Sequence, residues 1–195
     1  MARSIEDPDP IWLYGVVLCG LAVVGLLIAL STAHLSALLG ESRYALEGAL
    51  HGVSAMLFMV TATIGLFQAY RLVAGTIRHP AQLQFGSLVN AVAAFLTILF
   101  GNRIYIYYRA SAGPRSYFLE NSPEIHRIFF EFKEFAALFT LPLAVAAAYL
   151  FAAYGPALLR SRGLRSIAAL LLVLTFFYFL VAFGLGAAIT KLRAI

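Results

Sequence analysis

Charge and cysteine are both scarce in this sequence. Only 12% of its 195 residues are charged, about half the ~25% typical of a soluble domain. Cys19 is the one cysteine, so no internal disulfide can form and the redox compartment cannot be read from it. Also missing are a Cys-x-x-Cys-His haem-attachment motif, a phosphate-binding glycine loop, a nucleophile triad and any cofactor fingerprint. No linker, low-complexity tract, internal repeat or soluble domain interrupts the chain.

What fills the sequence is apolar. Hydrophobic residues make up 62%, and the mean hydropathy is +0.88. This places the chain among integral membrane proteins of the all-α class. A bilayer-crossing helix needs about 20 mostly apolar residues. Five segments meet that length, near 11–39, 46–72, 82–108, 122–159 and 164–192, and together they form a single transmembrane domain over 1–195. In the fourth, Ser122 is expected to cap the start and Pro142 to mark a bend. The start, MARSIEDPDP, is acidic and Pro-rich where a signal peptide begins basic, so the first helix is expected to stay uncleaved. The net charge of +5 is spread over loops and helix ends, which fits the loop bias of membrane proteins and not nucleic-acid binding. A bacterial inner membrane is the expected location.

Five crossings put the termini on opposite sides. The N-terminal side, A, then holds Arg3, Arg71, Arg78, Arg160, Arg162 and Arg165, and side B holds Arg43, Arg109, Arg115, Lys191 and Arg193 in loops, a near balance in which the two short side-A loops are basic and free of acids. Side A is expected to be cytoplasmic. Trp12, Tyr14, Tyr105, Tyr107 and Tyr108 read as interfacial anchors, and Gly15, Gly20 and Gly25 as a close-packing stripe.

Polar residues recur at helical spacing. Glu47, His51, Ser54, Phe58, Thr61, Gly65 and Gln68 share one face of the second segment. Gly86, Asn90, Thr97 and Gly101 form a similar face on the third, leading to Asn102, Arg103 and Tyr105. Such stripes turn toward a bundle interior because lipid cannot satisfy them. In the fourth segment a regular helix puts Glu124, Arg127, Glu131 and Glu134 on one face and His126 and Lys133 on another. Arg127 can pair locally with the acidic face, and Arg103 is expected to pair with Glu131 or Glu134.

Alternating helices bring His34, Glu47, His51, Arg103, Tyr105, His126, Glu131, Lys133 and Glu134 to one level of the side-B leaflet. His79 lies on side A. Three readings follow. In the first, the protein binds haem b, with His51 and His126 as axial ligands, His34 able to replace either, and Arg103 or Lys133 meeting the propionates. In the second, the site binds a metal through His51 and His126, or handles protons or a quinone through Glu47, His51 and Glu131. In the third, Glu47, Arg103, Arg127, Glu131 and Glu134 form a buried ion-pair network. That network belongs either to a structural subunit of a larger membrane complex or to a proton- or ion-coupled transporter-like protein. The leading expectation is a small redox protein, holding haem b or serving a quinone-linked electron-transfer partner.

The run 101–141 resembles a pattern in uncharacterised bacterial multi-helix inner-membrane proteins. In these a Tyr/Arg-rich helix end precedes a helix opening with F-E-x-K-E. The matching residues are Tyr105, Tyr108, Arg109, Phe130, Glu131, Lys133 and Glu134. Phe135 stands where the pattern has a histidine. The resemblance brings no activity; it implies that the Glu131–Lys133–Glu134 group is a shared feature.

Overall fold

Apolar runs of about 30 residues can do little in water but are long enough, at about 1.5 Å rise per residue, to cross a bilayer. The computed structural model describes residues 45–77 and 79–192, and all regular structure among them is helical. The long helices are α1 (Ala45–Ala74), α2 (Pro80–Tyr108), α4 (Glu131–Arg160) and α5 (Arg162–Leu192). Each is apolar enough to span a membrane. A short helix α3 (Pro114–Asn121) and a π-helical turn (Ile125–Phe130) lie between α2 and α4. The chain divides into compact units 1–46 and 47–195, and the bundle described here belongs to the second. The expected helix near 11–39, with His34, Trp12 and the glycine stripe, lies outside the described residues.

Side chains from all four long helices build the core in stacked groups. Toward side A, Leu72, Leu83, Phe151, Leu158 and Leu172 are buried together. In the middle, Phe58, Ala62, Ala94, Ala144 and Phe179 pack through small residues that let helices approach closely. At side B, Tyr108, Phe118, Phe130 and Ile189 close the bundle. The outer faces carry large apolar groups such as Met56, Phe67, Leu138 and Tyr149, as lipid contact requires.

The polar stripe of α1 meets that of α2. Glu47 pairs with Arg103 at 3.6 Å. His51 Nδ1 lies 2.9 Å from the Thr97 carbonyl. Thr61 donates to Asn90 Oδ1 at 2.9 Å, and Gln68 lies over Gly86. These contacts run in order along an antiparallel pair and satisfy polar groups that lipid would leave unpaired.

Two details of α4 differ from the sequence expectation. Its only non-helical residue is Gly155 (φ 44°, ψ −126°), not a position near Pro142. Gly155 has no Cβ to oppose a positive φ, and Pro156 behind it has no N–H to give. Gln84 Nε2 of α2 reaches across to donate to the Phe151 carbonyl beside this break, at 3.0 Å. At the other end, Ser122 does not cap the helix with its side chain; its hydroxyl donates to the Asn121 carbonyl.

Candidate functional site

Between the middle core group and the side-B group lies a cavity of about 340 Å³, lined mostly by apolar atoms. Phe58, Ile98, Phe179 and Ile189 form much of its wall. Polar groups line it from all four long helices: His51 from α1, Thr97 and Tyr105 from α2, Lys133 and Glu134 from α4, and Thr190 from α5. A chamber of this size and make-up, with a few convergent polar groups, suits a small apolar ligand with a polar head.

His51 reaches the cavity by lying flat across α2. A Cβ on Gly101 would meet its Cε1 at 3.1 Å, so the missing side chain makes room for the ring. A backbone carbonyl only accepts, so the 2.9 Å contact with Thr97 makes Nδ1 the protonated nitrogen. In the neutral ring Nε2 is then left with its lone pair.

Lys133 sits across the chamber. Its Nζ lies 4.7 Å above the Phe130 ring, a cation–π contact that suits an ammonium in an apolar wall. Its stem runs beside Gly186 of α5. Glu134 interacts with Lys133 and with Tyr105. Tyr105 also carries the Arg109 guanidinium 4.7 Å over its face.

His126 is placed elsewhere. Its Nδ1 meets the Tyr108 hydroxyl at 2.9 Å, and its Nε2 accepts from Arg115 Nε at 3.1 Å. A guanidinium only donates, so Nδ1 carries the proton and points it at the Tyr108 oxygen. Both ring nitrogens are occupied, and His126 does not line the cavity. The structure therefore does not turn His51 and His126 toward one void, as a shared haem or metal would require. Among the described residues no group of three or more His, Cys, Asp or Glu is arranged to hold a metal ion.

The π-helical turn accounts for the placement of His126. It inserts a residue into the turn, with i→i+5 bonding. A regular helix separates His126 from Glu131, whereas here His126 Nε2 and Glu131 Oε1 are 3.6 Å apart. Phe130 is drawn in to stack on Tyr108, ring centroids 4.0 Å apart and 2° from parallel.

The expected pairing of Arg103 with Glu131 or Glu134 is corrected: its partner is Glu47. Arg103 leaves α2 toward α1, away from α4, and its side chain is 61% exposed. Arg127 is exposed on the outer side of the turn. The Arg103–Glu47 pair shares no member with the 3.6 Å contact between the neutral His126 ring and Glu131. His34 lies outside the described residues.

Sequence reasoning missed Tyr108 and Arg115. Tyr108 reads as one of three interfacial tyrosines, yet it is 1% exposed and holds His126. Arg115 reads as a loop cation, and α3 carries it back to the ring. Comparison with protein-family models, curated proteins and solved structures gives no match.

Proposed function

We propose that this chain is a bacterial inner-membrane protein that holds the headgroup of a lipid-soluble quinone or quinol in the side-B leaflet. On this reading it serves a quinone-linked electron-transfer partner, with side A facing the cytoplasm. The observation that carries the reading is the apolar cavity into which His51 and Lys133 project from different helices. His51 Nε2 can accept from a ring hydroxyl of the reduced form. Lys133 can donate to a carbonyl oxygen of the oxidised form. An apolar wall suits the ring and the root of the tail.

The test is titration of the detergent-purified protein with a short-tailed ubiquinone and a short-tailed menaquinone. Saturable binding of one ligand per chain is expected. His51→Leu and Lys133→Met should each weaken it several-fold, the effect of a lost hydrogen bond worth about 0.5–1.5 kcal/mol. The reading fails if neither quinone saturates, or if both variants bind as the parent does.

One observation favours haem as a second reading. Metal-bound histidines commonly fix one ring nitrogen on a carbonyl and offer the other, and His51 is held in this way. His51 would then be a single axial ligand, without His126. An absorption spectrum decides it. A Soret band, before or after dithionite, in protein from haem-sufficient cells supports haem, and its absence removes this reading.

A further inference from the structure

The side-A end of the bundle has an unusual charge pattern. Arg71, Arg160, Arg162 and Arg165 lie there, and no carboxylate does among the described residues. The described acids, Glu47, Glu120, Glu124, Glu131 and Glu134, all lie toward side B.

Arg71 and Arg165 converge on one turn. The α1 C-terminus closes on Gly75 (φ 69°), with the Thr76 N–H bonded to the Arg71 carbonyl at 3.0 Å. Arg71 Nη2 donates to the Thr76 carbonyl at 3.3 Å. From α5, Arg165 Nη1 lies 2.9 Å from where a Cβ on Gly75 would stand, so the guanidinium rests on the turn's backbone. Arg165 Nε is buried and has no hydrogen-bond partner.

The C-terminal carbonyls of α1 offset part of this positive charge, but no carboxylate among the described residues does. Arg165 occupies the first turn of α5, at the positive end of the helix dipole. Arg162 is three residues before it, on the same helix side. An anion beside the two guanidiniums opposes the α5 dipole and screens the arginines from one another.

We propose that Arg71 and Arg165, with the Gly75–Thr76 turn between them, bind the phosphate of an anionic phospholipid. Phosphate is the group that a guanidinium fork matches in charge and geometry. A phospholipid is the source because the site sits at the end of membrane-crossing helices, beside the lipid-exposed side chains of Tyr70, Val73 and Ile167. Basic pockets between helices at a membrane surface take such headgroups. The assignment is independent of the quinone reading.

The test uses the full chain in nanodiscs of phosphatidylcholine with a minor fraction of phosphatidylglycerol, followed by release into detergent and native mass spectrometry. Retention of phosphatidylglycerol over phosphatidylcholine is expected. Arg165→Gln and Arg71→Gln should each lower that preference about fivefold. Arg127→Gln, an exposed cation at the opposite end, should leave it unchanged. Circular dichroism and monodispersity establish that each variant is folded; should Arg165→Gln not fold, Arg165→Lys carries the test, since it keeps the charge but loses the fork, and it should still lower retention. Equal retention of both lipids, or equal loss in Arg127→Gln, overturns the proposal. A second arm titrates inorganic phosphate alone. Thermal protection by millimolar phosphate equal to that by phosphatidylglycerol would mean that the site takes a free anion and would overturn the lipid assignment.

Discussion

The imidazole of His51 occupies the space that Gly101 leaves on α2, with its Cε1 3.1 Å from where a Cβ at 101 would stand. This fit sets both the tautomer of the ring, through Thr97, and its direction into the cavity.

Gly101→Ala is therefore expected to separate stability from binding. Alanine favours a helix over glycine by about 1 kcal/mol, which offsets the crowding of the ring. Thermal unfolding in detergent should change by no more than about this amount, while quinone affinity falls because the ring must shift. An unchanged affinity would show that the seat of His51 does not matter to the ligand.

Tyr108→Phe removes the acceptor that holds the buried His126 Nδ1–H. An unpaired buried donor costs about 1–3 kcal/mol, and the melting temperature should fall accordingly. In a double-mutant cycle with His126→Leu the two losses should be less than additive. Additive losses would show that the 2.9 Å contact carries no coupling.

Arg103→Ala should be mild. The Arg103 side chain is 61% exposed, and its pair with Glu47 is long at 3.6 Å. Exposed pairs are worth about 0–1 kcal/mol. A larger loss in a detergent unfolding assay would place Arg103 in a tighter contact than the one seen.

Gln84→Leu removes the side-chain amide that donates to the Phe151 carbonyl beside the Gly155 break. A loss of about 0.5–1.5 kcal/mol is expected. Gly155→Ala should also destabilise, because alanine does not readily adopt a positive φ. If both variants melt with the parent, the break is not held by this hydrogen bond.

Much of the α1–α2 arrangement was legible beforehand, because helical period and the exclusion of polar groups from lipid both act on single residues. Glu47, His51, Thr61 and Gln68 share a face in the sequence and meet α2 in the structure. The partner of Arg103 was not legible: a helix wheel gives the face a residue occupies, not which neighbour that face addresses. The π-helical turn was hidden too, since one inserted residue leaves no mark in an apolar run, yet it moves His126 beside Glu131. Arg115 escaped because loop residues have no periodicity to read. Pro142 and Gly155–Pro156 show that a proline alone does not locate a break; the glycine beside the second one does.

The ladder from Glu47–Arg103 to Gln68–Gly86 also limits how the molecule can move. Sliding α1 along α2 by one helical turn, about 5.4 Å, would uncouple every rung at once and strand polar groups in hydrocarbon. The α1–α2 hairpin is thus a fixed post. Any breathing of the chamber that admits a ligand falls to the opposite wall, where α5 and the head of α4 meet it through small and flexible groups such as Gly186 and Lys133.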